Sequence, residues 1–478
     1  MQQMCGAAVL LALITVPAQA QDFGLTTQTM LAEQSLPLFG IAAPLGASAQ
    51  ASAEEGYRLP AYTPLDAIAL AEGLTAAFVT RDAANNLDMM ALYPAAAPTH
   101  IIACIESDVE EIAAGKMNPG VQRISLTDGK VETIVRGTSA CDGIRTTPWG
   151  TVLFTEEDDA GGAYEMLNPL TTTGIVLTDR AAGTTSDPAR VIRRMALPTM
   201  AWEGIAILPN GVIYAGDELR PGTDVPRSNG GAIFKFIPAM PAAAGDIATL
   251  DASPLVAGKT YAMQVQCRGG EMQFGQGCET GNAIWIEIDP TQARAYAEAK
   301  GATGYYRPED LHQDLAYTGA GVRFCHTNTG NEGARNYAEV NCITDATPLD
   351  IPLADAGGKV APNTVVTRFI EGDEDANSFD NLDFQPGTGN LYVIEDHPNG
   401  DVWACLPDGG DRDLKTDGCL RVLSVKDSSA EPTGFVFAPD GLSAYVSIQH
   451  SDDTGMATLD DYGTDDLIRI TGFAPVAK

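Results

Sequence analysis

TPWGTVLFTEED occupies residues 147–158, and two later stretches, LPNGVIYAGDE at 208–218 and GTGNLYVIEDH at 387–397, are loose copies of it. Each opens on a tight turn, runs through four or five β-favouring residues and ends on adjacent carboxylates. Those are Glu156 with Glu157, Asp217 with Glu218, and Glu395 with Asp396. The pattern is that of one strand placed repeatedly in equivalent surroundings and aimed at something cationic. The turn prolines Pro148, Pro209, Pro386 and Pro439 lie 61, 177 and 53 residues apart. The middle gap is about three times the outer ones, and 439 − 148 divided by five is about 58, somewhat above the ~40–50 residues of common propeller blades. Five intervals imply six units. The expected fold is all-β, a six-bladed β-propeller with long loop insertions, in which closure protects the exposed edges of so much sheet. A pair of β-sandwiches is the alternative, because Pro-x-Gly turns are common in β proteins.

The rest of the chain fits around that repeat. Residues 1–20, MQQMCGAAVLLALITVPAQA, hold an apolar run ending in Ala18-Gln19-Ala20, the pattern of a signal peptide cleaved before Gln21, so a periplasmic or secreted protein is expected. Residues 21–60, rich in Ala, Ser, Gln and Pro, read as an N-terminal arm, and residues 61–478 as a single propeller domain. Helical signal is scarce; DPTQARAYAEAKGA at 289–302 is the one good candidate, whereas GAIFKFIP, NAIWIEIDP and LSAYVSIQ read as strands. No later segment has the roughly 18 unbroken apolar residues of a membrane span. With 29 basic against 63 acidic residues the net charge is −34, which excludes nucleic acid as a partner. Nine cysteines become eight without the leader, an even number that suits disulfides in an exported chain. Cys267–Cys278, Cys325–Cys342 and Cys405–Cys419 are close pairs, and Cys104 and Cys141 are left either bonded to each other or free.

If the strand after each turn is equivalent from unit to unit, the carboxylate pairs converge, with Gln449 and His450 at the matching place in the last unit. Unit charges about 4 Å apart repel by several kcal/mol even at moderate effective dielectric, so such a ring calls for hard cations. Calcium, which takes six to eight oxygens in flexible arrangements, suits the set. The chain's five histidines are too few for an imidazole-rich zinc site. A further acidic stretch, DGGDRDLKTDG at 408–418, reads as a hairpin loop or a structural calcium loop.

CDGIRTTPWGTVLFTEE, WEGIAILPNGVIYAGDE, YYRPEDL, FDNLDFQPGTGNLYVIED and PTGFVFAPDGLSAYVSIQH follow one another between roughly residues 135 and 451, and in that order they resemble the PhoX-type alkaline phosphatases. The resemblance implies a six-bladed propeller, exported, that hydrolyses phosphomonoesters with calcium (Ca2+) and ferric (Fe3+) ions. It also implies that Cys141 ligates iron, that Glu203, Glu309 and Asp380 are acidic metal ligands, and that Arg307 holds the phosphate. The charge agrees: a protein at −34 binds a phosphate ester only where bound cations concentrate positive charge. Such ions can also activate water, and no Gly-x-Ser-x-Gly elbow or Walker loop offers another route.

The expected function is thus a secreted, monomeric, metal-dependent phosphomonoesterase acting on a small phosphate ester. Its metal ligands are Cys141, Glu156, Glu157, Glu203, Glu309, Asp380 and Asp396, with Arg307 on the phosphate and His450 as a proton donor to the ester oxygen. The alternatives are a non-catalytic, calcium-stabilised periplasmic propeller that binds a ligand or partner, and a lactonase or phosphodiesterase built on similar calcium chemistry.

Overall fold

The computed structural model describes residues 23–52, 58–222, 229–265, 279–353, 356, 358–407, 418–451 and 455–476. The leader at 1–20, the Cys267–Cys278 pair and the loop at 408–418, apart from Gly418, lie outside the described residues.

The architecture is all-β and propeller-like. Among the described residues four sheets have four, four, five and six strands, a larger sheet of ten strands occupies the sector between residues 202 and 371, and Glu111–Ala113 pairs with Lys116–Met117 in a two-stranded ribbon. Six strands lie innermost: Leu87–Tyr93, Cys141–Thr146, Trp202–Ile207, Pro308–Gln313, Phe379–Phe384 and Glu431–Phe437. Each packs against the next, and the last returns to the first. From each inner strand the chain steps outward through antiparallel neighbours. The ring closes where Thr75–Ala84 pairs with Thr464–Thr471, so that the start of the domain completes the sheet made by its end.

Apolar residues on the flat faces supply the core. Met89, Ile102 and Val121 of one sheet meet Phe154, Tyr164 and Met166 of the next, and five more such clusters fill the gaps between successive sectors around the ring. Carboxylates buried within the sheets are paired with cations, as Glu165 is with Arg194 (2.6 Å) and Asp345 with Lys235 (2.6 Å), and another set gathers at the inner rim. The described part of the N-terminal arm packs on the body. Although the stretch shows no clear period, it forms helices over Phe23–Glu33 and Ser35–Phe39 and buries Leu31, Phe39 and Ile41 against the sheet of Leu391–Glu395 and Cys419–Val425.

The even 58-residue spacing is corrected. Inner strands begin at 87, 141, 202, 308, 379 and 431, so the 177-residue gap between turn prolines holds one unit without a turn proline of its own, that of Pro308–Gln313, rather than two. The extra length is spent on Gly258–Val265, Gly281–Ile288 and the helix Ala293–Lys300. Gly281–Ile288 also pairs with Thr364–Glu371, which is why this sector is one ten-stranded sheet where separate sheets were expected. The unit that balances the count lies upstream, at Leu87–Tyr93, and lacks a Pro-x-Gly turn.

Candidate active site

The inner strands set the chemistry. In five of the six the second residue is acidic: Asp88, Asp142, Glu203, Glu309 and Asp380; in the sixth, Pro432 takes that place and Glu431 precedes it. In those five the pairing register shifts within the first four residues, as it does over Thr433–Val436 in the sixth. A bulge of this kind inserts an unpaired residue and re-aims side chains. Asn86, Ala140, Arg307 and Ser378, each immediately ahead of an inner strand, have φ of 65°, 40°, 57° and 52°. Non-glycine residues adopt that left-handed conformation only where the surroundings impose it.

A second tier comes from the residues just after the second strand in five of the six units, Glu106, Glu157, Glu218, Asp396 and His450, with Thr329 at that place in the unit of Pro308–Gln313. A recurring backbone clamp holds four of them. Glu106 N–H donates to the Asn86 carbonyl (2.8 Å), Glu157 to Ala140 (2.7 Å), Glu218 to Ala201 (3.0 Å) and Asp396 to Ser378 (2.7 Å).

These carboxylates except Glu218, together with Glu431, Gln449, Arg307 and His450, line one cavity of about 120 Å³. Among the described residues nine acidic side chains thus face two cationic ones. Oxygens of Asp142, Glu157 and Glu203 lie within 4.8 Å of one another, as do those of Glu203, Glu309 and Asp380, so Glu203 belongs to both groups. Asp142 Oδ1 and Glu203 Oε2 are buried without a hydrogen-bond partner. Burial, reinforced by the neighbouring carboxylates, holds Asp142, Glu157, Glu203 and Asp380 well above the usual carboxylate range. The same causes bring Asp88 to about 8, and burial brings Glu309 to about 8 against the pull of Arg307. Arg307 Nε bonds Glu218, and Nη2 lies 3.2 Å from Glu309 and 3.8 Å from Asp396. His450 Nε2 is 3.1 Å from Glu431, whose hydrogen bond raises the imidazole to about 9.

Glu157, Glu203, Glu309, Asp380, Asp396, Arg307 and His450 therefore share one cavity. Two expectations are corrected. Successive strand residues point to opposite sides, so only the second member of each carboxylate pair turns inward. Glu156 is fully buried within its sheet, accepting from Arg180 Nε (2.7 Å) and Ser139 N–H (3.0 Å). Asp217 likewise pairs with Arg294, and Glu395 accepts Trp403 Nε1–H at 3.0 Å. Cys141 is bonded to Cys104, as Cys325 is to Cys342 and Cys405 to Cys419. An oxidised sulfur has no thiolate to give a metal, so Cys141 is not an iron ligand in this state. The sequence reading missed Asp88, Asp142, Glu106 and Glu431. A signal existed for the inner tier: a bulky residue or Cys or Pro followed by an acid opens each of the five strands, as LD, CD, WE, PE and FD.

The profile of the family Alkaline phosphatase PhoX matches residues 110–452, well over half the chain. This chain belongs to the PhoX alkaline phosphatase family. Membership sets the class of reaction, hydrolysis of phosphoric monoesters. Among solved structures, Pseudomonas fluorescens PhoX in complex with vanadate, a transition state analogue, superposes with a TM-score of 0.54 at 17% identity, over 87% of this chain and 97% of that one. The likeness agrees with the propeller-like fold. The PQQ-bound aldose sugar dehydrogenase of Streptomyces coelicolor is more distant, with a TM-score of 0.41 at 13% identity over 84% of this chain and 99% of that one. No curated protein matches the sequence. The PhoX match begins at residue 110, so Asp88 and Glu106 of the cavity lie ahead of it.

Proposed function

We propose that this PhoX-family chain is an exported monoesterase whose carboxylate cavity would hold divalent cations of the calcium type, with Glu203 available to both groups of ligands. The carrying observation is that Glu203 is shared by two trios of carboxylates, with an unpartnered oxygen on it and on Asp142. Oxygens within 4.8 Å of one another are close enough to surround one ion bound at about 2.3–2.6 Å, as calcium is. The donor set fits hard cations and does not fit thiolate-ligated iron, since Cys141 is bonded to Cys104. Glu157, Asp142 and Glu203 would hold one ion, and Glu203, Glu309 and Asp380 the other. Asp396, in the same cavity, lies 3.8 Å from Arg307 Nη2.

Such ions, when bound, neutralise phosphoryl oxygens and lower the pKa of water until it is nucleophilic. The chain's own groups supply the rest. Arg307 presents a planar, permanently charged donor at the cavity, suited to bidentate binding of a phosphate dianion. Its left-handed backbone and its bonds to Glu218 and Glu309 fix its direction before substrate arrives. His450, kept protonated by Glu431, can deliver a proton to the departing ester oxygen.

The three cystines among the described residues support an oxidising compartment such as the periplasm or the exterior. Six inner strands and six intervening apolar clusters support counting the fold as six blades, with the ten-stranded sheet as two blades sharing an edge.

The test is hydrolysis of a chromogenic phosphomonoester by purified protein in calcium, after chelation, and after calcium is restored, with elemental analysis alongside. Activity that survives complete removal of metal would overturn the cation centre.

A further inference from the structure

Beneath the carboxylate cavity lies a second polar layer that the proposed chemistry does not use. Asp310, next to Glu309, is 2% exposed and fully engaged. Its Oδ1 accepts from Arg145 Nη2 (2.5 Å) and from the Leu311 N–H (2.7 Å). Its Oδ2 accepts the Leu382 N–H (3.2 Å) and faces His312 Nε2 (3.1 Å). Arg145 stands three residues after Asp142 on the second inner strand, and Leu382 two residues after Asp380 on the fifth. The network continues from His312 Nδ1 to Asp383 (3.2 Å), whose other oxygen accepts the Phe437 N–H of the sixth inner strand (2.7 Å).

One carboxylate therefore joins the strands that carry Asp142, Glu309 and Asp380. The third strand, with Glu203, is seated by contact instead. A Cβ on Gly143 would run into the Glu203 carbonyl, and one on Gly204 into the Leu311 N–H, so glycine at both places lets the neighbouring strands close up. The inner strands are bulged at this level, which frees backbone N–H groups from their ladders and leaves them for side chains such as Asp310 to bind.

We propose that Asp310 is a positioning residue for the cation centre: through Arg145 and the Leu382 N–H it sets the spacing of Asp142, Glu309 and Asp380. This rests on the reading of the cavity as a cation site. It touches neither substrate nor ion and acts by fixing the strands on which the carboxylates stand. Outer groups that orient metal ligands typically influence affinity by 10–100-fold.

The experiment is calcium titration of the full chain by isothermal calorimetry at a temperature well below unfolding, with each variant's melting curve recorded. Asp310→Asn keeps the size and an acceptor but loses the charge that Arg145 requires, and should weaken calcium binding by about 10–100-fold. The control is Asp345→Asn, which breaks a comparably buried pair with Lys235 (2.6 Å) outside the cavity. It should lower the melting temperature while leaving the calcium isotherm within about twofold, a small fraction of that window. If Asp310→Asn does not fold, Arg145→Gln takes its place under the same criterion. A calcium isotherm for the variant that superimposes on the wild type, or an equal loss of affinity in Asp345→Asn, overturns the positioning role. A wild type that binds no calcium overturns the cation site itself.

Discussion

Glu203→Gln should change the sign of its effect on stability according to whether metal is present. Glu203 faces carboxylate oxygens of Asp142 and Glu157 on one side and of Glu309 and Asp380 on the other, all within 4.8 Å in their groups. At an effective dielectric of about 20, each such pair repels by about 3–4 kcal/mol when both are ionised. Four neighbours would then oppose folding by roughly 14 kcal/mol, as much as the whole stability of an ordinary domain. The metal-free protein escapes by taking up protons. Burial first, then Asp142, hold Glu203 well above its ordinary 4.5. The folded state then binds more protons than the unfolded state, and stability falls as pH rises past 4.5. Holding a carboxyl of ordinary pKa in its acid form costs about 5 kcal/mol at pH 8 and under about 1 kcal/mol at pH 5, which caps what Glu203 can cost. Gln removes that cost. In chelator at pH 8 the variant should melt higher than wild type by up to about 5 °C, taking an unfolding entropy of about 2.1 cal/mol/K per residue. At pH 5 the difference should nearly vanish. In excess calcium the order reverses, because the ligand shared by both trios has lost its charge. Scanning calorimetry under these three conditions checks it; a variant that melts below wild type in chelator at pH 8 would refute the reasoning.

Arg307→Ala should lower kcat/KM by about 10²-fold or more on any monoester, the scale of losing one charge-stabilising donor, with the melting temperature little changed; steady-state assays read it. His450→Gln should slow esters with basic alcohol leaving groups far more than a nitrophenyl ester, whose leaving group needs no proton; equal losses on both would remove the proton-donor role. Cys104→Ser and Cys141→Ser should destabilise alike in urea, by less than the roughly 2–5 kcal/mol seen when small domains lose a bridge, and neither should alter the metal content found by elemental analysis. Lys235→Met should cost about 3–5 kcal/mol in urea unfolding, since it strands Asp345 at 0% exposure without its cation.

The sequence by itself determined the strand-rich class, the period-like turns, the excess of acid and the family, because local β-propensity, turn chemistry and charge are properties of short stretches. It also carried Arg307, Glu309 and Asp380, through segments whose order along the chain is distinctive. Side-chain direction was decided only by the tertiary structure. Glu156 and Glu157 are indistinguishable in composition, yet one is locked to Arg180 inside a sheet and the other faces the cavity, because a pleated strand alternates its sides and the bulge on the facing inner strand sets which residue turns in. Asp88 could not be placed in the cavity without knowing that the first inner strand lies beside the last, a contact made by residues more than 340 positions apart, such as the Thr433 hydroxyl on Asp88. The state of Cys141 was open for the same reason. Two cysteines 37 residues apart can bond or remain free, and only the meeting of their strands, with Cα atoms 5.0 Å apart, joined them.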